Sequence, residues 1–486
     1  MQSPSRPGQS LLPSLTHWLW LLIFIILITP PWRTIMVSAD GDTLMHWRVG
    51  EWMLEHRQIV STDTFSHTHT GEPVISKEWL AEILFALPAR VGGLFGIAVA
   101  AAFIIATTFA LLHRQLLRAG NDLLAATAVT LLAAFAANIH WLARPHVFSL
   151  LFVLLWNSEL LCFDRTRQTR RLMLSLTGMM LLWVNLHGAF LVGLVLLGTY
   201  WLGAALERDW AKVRILTLTG LLCGLASLAN PNGYRLHWHN LGFLRSSYLT
   251  TWIAEYASTD FHSVGALGFV AWLAAFFFTL TLARPKLTPT AGLVLISWLY
   301  FSLTSARNIP LLALLTAPIL AAAWSDCLRG RLRDISNRVN AMTSVSRAGP
   351  LVLVAAGVMV AVVPKNIELS EKDWPVQAVE FIRTNSVQFA GNMFNQYKWG
   401  GYLMWYLPEH KTFVDGRTDF YGEPGIREFS QVTALGPGWE KPLAERNVQW
   451  VLMPADHRLN LALGLLPKVW SCVHSDGVAL VWRKLE

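Results

Sequence analysis

From Trp18 to Pro364 the chain returns repeatedly to long apolar runs, and the short connections between them are rich in arginine and lysine. That alternation limits the fold severely. Inside a bilayer no water satisfies backbone N–H and C=O groups, so a segment that crosses must be a helix bonded within itself. Charged residues make up only 14% of the chain, against about 25% in a soluble domain. The expected fold class is a polytopic α-helical membrane protein.

The apolar segments lie near 18–37, 91–112, 122–138, 147–163, 171–186, 188–206, 211–229, 264–283, 288–304, 308–325 and 349–364, which makes about eleven expected spans. Several are shorter than the roughly 20 residues of a full crossing. Residues 81–89 are apolar but short, and read as an interfacial helix. Val37-Ser38-Ala39 has the look of a cleavage site, yet Pro30-Pro31-Trp32-Arg33 separates it from the apolar stretch. The first helix is therefore expected to stay attached.

Charge sets the orientation. Basic residues cluster at Arg114 and Arg118, at Arg165 to Arg171, at Arg208 to Arg214, at Arg284 and Lys286, and at Arg329 to Arg347. With the N-terminus inside, eleven crossings place every cluster inside and the C-terminus outside. The net charge of +8 thus marks topology. It is split over separate loops and does not form a nucleic-acid surface. Four cysteines without a CxxC pair argue against a disulfide framework, a zinc cluster and a thiol redox motif.

The expected organisation is 1–37, the N-terminus and first span; 38–90, a first outer loop; 91–364, the helical membrane domain; and 365–486, an outer domain. The last region has no span. Segments 391–395, 411–415 and 448–453 read as strands, and 375–383 and 401–406 as helices, which predicts a small α/β domain.

The outer segments collect the polar chemistry. Asp40, Asp42, His46, Asp63, His67, His69 and Glu78 lie in the first loop. Arg144 and His146, His187, Glu255 and Arg307 lie at later span mouths. Ionisable groups at that depth are costly and tend to be functional. The Asp40-Gly41-Asp42 pair can hold a divalent ion, act as a base, or cap a helix at Asp42. His67 and His69 alternate along an extended segment, which suits either a solvated loop or metal ligation. Arg144 and Arg307 can snorkel to headgroups or grip a phosphate. Asp415-Gly416-Arg417-Thr418-Asp419 reads more as an ion pair than as a ligand loop.

Several of these stretches resemble the GT-C-type membrane glycosyltransferases, and in particular a bacterial group related to protein mannosyltransferases and lipid A aminoarabinose transferases. In the first loop the resemblance rests on Asp40-Gly41-Asp42-Thr43, His46, Gly50-Glu51-Trp52, Asp63-Thr64-Phe65-Ser66, Gly71 and Lys77-Glu78-Trp79-Leu80. Further on it rests on Arg144-Pro145-His146, Asn230-Pro231-Asn232-Gly233, Glu255, Arg307, the run 394–403 and Val414-Asp415-Gly416-Arg417.

The resemblance implies a catalytic first outer loop and a sugar donor carried on polyprenyl phosphate. An envelope acceptor would be glycosylated at the outer face of the bacterial inner membrane. Asp40 or Asp42 would be the base or a metal ligand, and Arg144 and Arg307 would contact the phosphate. His46, Asp63, Glu78, His146, His187 and Glu255 would bind or support the substrate. A divalent ion, if used, would sit on Asp40, Asp42, His67 and His69. Two other readings remain open: a non-catalytic subunit of an envelope assembly, and a transporter, which would need polar residues along its spans and inverted repeats.

Overall fold

The structure is a computed structural model that describes residues 13–39, 41–163, 168–328 and 348–485. Asp40 and the basic segment 329–347 lie outside the described residues. The N-terminal apolar stretch is two helices, α1 (Leu15–Ile28) and α2 (Trp32–Ser38). They meet at 65° where Pro30-Pro31 interrupts the run, because proline cannot donate to the helix ladder. α3 (Asp42–His56) follows directly, then an irregular loop, then α4 (Trp79–Arg118).

The short helix expected at 81–89 is present: α4 is two helical stretches that meet at Gly93, where the backbone is non-helical with φ of 57°, and 81–89 lies in the first of them. A left-handed conformation of this kind favours glycine, the residue with no Cβ to clash. Beyond the break, a Cβ on Gly96 would overlap the Pro88 carbonyl.

The helical domain continues with α5 (Leu123–Ala137), α6 (His146–Leu161), α7 (Thr169–Leu186), α8 (Leu191–Leu206), α9 (Trp210–Ala226), α10 (Tyr234–Arg245), α11 (Ser247–Trp252), α12 (Leu267–Leu282), α13 (Pro289–Thr304) and α14 (Ile309–Leu328). A further apolar helix covers Gly349–Val362. α4 packs against α1, α3 and α6, and α14 against α5. Small residues make close helix contacts possible: Ala98, Ala101, Ala102 and Ala106 on α4 are fully buried.

Every apolar segment expected to cross is helical, but the count of eleven is not reached. Among the described residues, five helices are long and apolar enough to cross a membrane, or six if α1 and α2 form one broken span. Three more, His146–Leu161, Pro289–Thr304 and Gly349–Val362, are apolar but shorter.

The C-terminal region carries a four-stranded sheet: β1 (Asn392–Asn395), β2 (Val448–Pro454), β3 (Trp470–Ser475) and β4 (Ala479–Lys484). Its order is β1-β2-β4-β3, with β1 parallel to β2 and the other pairs antiparallel. Helices Val376–Thr384 and Gly400–Tyr406 fall where expected. The strand expected at 411–415 is not one. It is a buried connecting segment whose one ladder contact is a parallel bridge from Thr412 to Ser66 of the first loop.

That bridge is part of a wider seam. Helix Gly400–Tyr406 packs on α3, and a Cβ on Gly401 would collide with the Gly41 carbonyl. Two glycines therefore let the first loop and the C-terminal domain meet backbone to backbone.

Candidate functional site

A cavity of about 500 Å³ lies where the first loop, the span mouths and the C-terminal domain converge. Asp42, His46, Lys77, Glu78 and Glu82 line it from the first loop and the start of α4. Arg144, His146, His187, Glu255 and Arg307 line it from later mouths, and residues 416–420 close it from the C-terminal side.

Asp42 is the first residue of α3, and Gly41 takes the cap position expected of Asp42. A carboxylate there still benefits from the positive end of the helix. Its Oδ2 lies 2.9 Å from Arg144 Nη2, while Arg144 Nη1 reaches Glu255 Oε1 at 2.7 Å. One guanidinium thus spans two carboxylates from distant parts of the chain. Burial alone would raise the Glu255 pKa. Arg144, and then His140 and Arg307, outweigh it and hold the group at about 2.

Arg307 is placed differently. Its guanidinium lies 4.3 Å over the Tyr256 ring, and no carboxylate among the described residues comes within ion-pair distance. Its turn is tied to the Glu255 turn, since Ser305 Oγ donates to the Glu255 carbonyl at 3.0 Å.

A second group gathers around Glu78. His46 Nδ1 donates to Glu82 Oε1 at 3.0 Å, and its Nε2 faces Glu78 at 3.8 Å. Burial opposes a charge on His46, but the bond to Glu82 and the carboxylates of Glu78, Glu82 and Asp42 win, so its pKa is raised. His187 Nε2 faces Glu78 from the other side at 3.5 Å. Its Nδ1 meets Ser149 Oγ at 2.8 Å, and that hydroxyl accepts from Trp183 Nε1. His146 Nε2 donates to the His140 carbonyl at 2.7 Å.

The ligand atoms of His46, Glu78 and Glu82 lie within 4.8 Å of one another, and a divalent ion accepts imidazole and carboxylate together. This set fits a metal better than the one expected from sequence. His67 Nε2 donates to the Met393 carbonyl at 2.8 Å, and His69 Nδ1 meets Thr68 Oγ1. His67 bonds the C-terminal domain, His69 packs edge-on against its Tyr421 ring, and neither belongs to a metal-ligand group among the described residues.

Asp63 is also a correction. It is buried, does not line the cavity, and accepts from the backbone of Phe65 and Ser66. Its Oδ1 lies 2.7 Å from Arg417 Nη1, and Arg417 also pairs with Asp415 at 2.6 Å. The ion-pair reading of Asp415 and Arg417 is the one observed.

Lys77, Glu82, Tyr397 and Asp419 line the cavity but were not among the expected site residues. Asp419 lies 2.9 Å from Lys77 Nζ and 2.7 Å from His239 Nε2, so it joins the first loop, α10 and the C-terminal domain. Burial would raise the Asp419 pKa, and Lys77 and His239 reverse this and lower it. Glu82 and Tyr397 complete the lining. Lys77 stands in the Lys77-Glu78-Trp79-Leu80 run, and a lysine beside a glutamate just before α4 was the available signal. Asp419 stood in the 415–419 run read as an ion pair, but nothing local marked Lys77 and His239 as its partners.

The fold is similar to that of solved membrane-enzyme structures of the kind the resemblance led one to expect. The archaeal oligosaccharyltransferase AglB from Archaeoglobus fulgidus, solved with an inhibitory peptide and a dolichol-phosphate, superposes with a TM-score of 0.60 at 13% identity, over 90% of this chain and 69% of that one. ArnT from Cupriavidus metallidurans, solved with undecaprenyl phosphate, gives 0.57 at 14% identity over 97% of each chain. Another structure of the Archaeoglobus enzyme, a complex with Zn and sulfate, gives 0.55 at 14% identity over 96% of this chain and 73% of that one. No family model and no curated relative matches the sequence.

Proposed function

We propose that the protein is a membrane glycosyltransferase that moves a sugar from a polyprenyl-phosphate carrier to an envelope acceptor: a glycan, a lipid or a protein. The reaction takes place at the outer face of the bacterial inner membrane and inverts the anomeric centre. The observation that carries this reading is the cavity itself. It sits at the mouths of apolar helices and brings Asp42, Glu255, Arg144, Arg307 and Lys77 onto one space. The likeness to enzymes solved with dolichol-phosphate and undecaprenyl phosphate supports it.

In this reading the lipid tail stays among the apolar helices and the phosphate meets Arg307 and Lys77, which stabilise the charge that develops on it. Asp42 accepts the proton of the acceptor hydroxyl as its oxygen attacks the anomeric carbon. The carbon–oxygen bond to phosphate breaks, and the carrier phosphate leaves with the electron pair. A single displacement of this kind inverts. Asp40 stands next to these groups in sequence and keeps its candidacy as base or ligand. His46, Glu78 and Glu82 would hold a divalent ion, and such an ion would add charge stabilisation at the cavity wall.

A second reading has one observation in its favour. Asp42, Arg144 and Glu255 already satisfy one another, as they would in a non-catalytic subunit that keeps the fold. The deciding experiment measures binding and turnover of polyprenyl-phosphate sugars by the purified protein in detergent, wild type beside Asp42→Asn. Transfer or hydrolysis by the wild type, lost in a folded mutant, supports the enzyme. No binding across a varied donor panel supports the subunit.

A further inference from the structure

The geometry points to Arg144 as the resident cation of the cavity: its guanidinium takes the place between Asp42 and Glu255 that a divalent ion would otherwise occupy, so this carboxylate pair needs no metal. The metal expected on Asp42 does not fit there. Asp42 comes from the first turn of α3 and Glu255 from a short turn after α11. Nothing local brings them together, and two facing carboxylates repel. Arg144 meets one with Nη2 at 2.9 Å and the other with Nη1 at 2.7 Å. Its planar fork presents two donors in fixed directions, so it bridges them as a coordinated ion would.

The three side chains are between 18% and 25% exposed, so the bridge faces the cavity and is not sealed in the core. The backbone also fixes Arg144. Its N–H donates to the Leu142 carbonyl, the neighbouring Ala143 N–H donates to the Met36 carbonyl of α2, and Pro145 is the residue that caps α6. The cation is thus held by the chain and cannot exchange with solvent. The two arginines that looked equivalent in sequence divide their work. Arg144 neutralises the carboxylates, and Arg307, with no described carboxylate partner, is left for an anion. Only this last clause rests on the transfer reading.

The test is Mn²⁺ titration of the detergent-solubilised full chain, followed by EPR without donor, so it is independent of turnover. Wild type and Glu255→Gln are expected to bind the same number of ions, any bound ion belonging to the His46 group. Arg144→Ala is expected to gain about one equivalent, and Arg144→Ala with Glu255→Gln to lose it again. Arg144→Gln serves if the alanine variant fails to fold. The proposal is overturned if Glu255→Gln removes an ion that the wild type binds. It is equally overturned if a folded Arg144 variant gains none.

Discussion

Asp42 carries the sharpest expectation. If it takes the acceptor proton, Asp42→Asn lowers turnover by about 10²–10⁴-fold while gel-filtration behaviour and tryptophan fluorescence stay as in the wild type. Arg307 offers a separate test. Arg307→Ala is expected to weaken binding of the donor phosphate, and Arg307→Lys to restore part of it, because lysine keeps the charge but loses the planar fork. Asp63 should behave otherwise. It sits behind the cavity and is one of two carboxylates that hold Arg417, so Asp63→Asn removes one charge-assisted bond and leaves the Asp415 pair in place. The expected cost is about 1.5–3 kcal/mol of stability, read as a lowered melting temperature. A loss of donor affinity without loss of stability would return Asp63 to the substrate-binding set.

Among the elements, the seam between α3 and helix Gly400–Tyr406 is the most exposed to disruption. Backbone meets backbone at Gly41 and Gly401, so Gly401→Val has to push the C-terminal domain off the first loop. Limited proteolysis should then cut in 365–400 faster than in the wild type, and His67, which bonds the Met393 carbonyl, should become accessible to modification. The elements also show where sequence reading stops. β2 was legible because Val448 to Met453 is an apolar run at the centre of the sheet, buried on both faces. β3 was not, because it is an edge strand whose residues after Trp470 are mostly exposed or half-exposed. Segment 411–415 misled for the opposite reason. It is buried like a strand, but its partner is a single bridge to the first loop.

For the molecule as a whole, two measurements follow. Cys472 is exposed in the C-terminal domain, while Cys162 and Cys327 are exposed at the opposite ends of helices expected to face inward. In intact cells an impermeant maleimide should label Cys472 alone, whereas labelling of Cys162 first would invert the topology. The second measurement is acid stability. Glu255 is held at about 2 against an ordinary 4.5, and burial there is outweighed first by Arg144. Asp415 and Asp419 are lowered in the same sense. A depressed carboxylate stabilises fully above its unfolded pKa and loses that contribution as pH falls through the folded one. Stability should therefore fall between about pH 4.5 and pH 2, and Glu255→Gln should remove about 2–3 kcal/mol of that acid-sensitive stability.

The apolar runs, the gathering of polar residues at the ends of those runs and the α/β character of the tail all followed from local pattern. A helix that must satisfy its backbone in lipid, and a strand that must bury one face, leave that requirement in consecutive residues. The ion pairs left no such trace. Arg144 finds Asp42 and Glu255 across about a hundred residues on either side, and Asp419 finds Lys77 and His239 across longer gaps still. Charge–charge attraction depends on distance in space and has no period along the chain. Which arginine is bound and which faces the cavity was therefore settled only when the helices packed and brought the loops together.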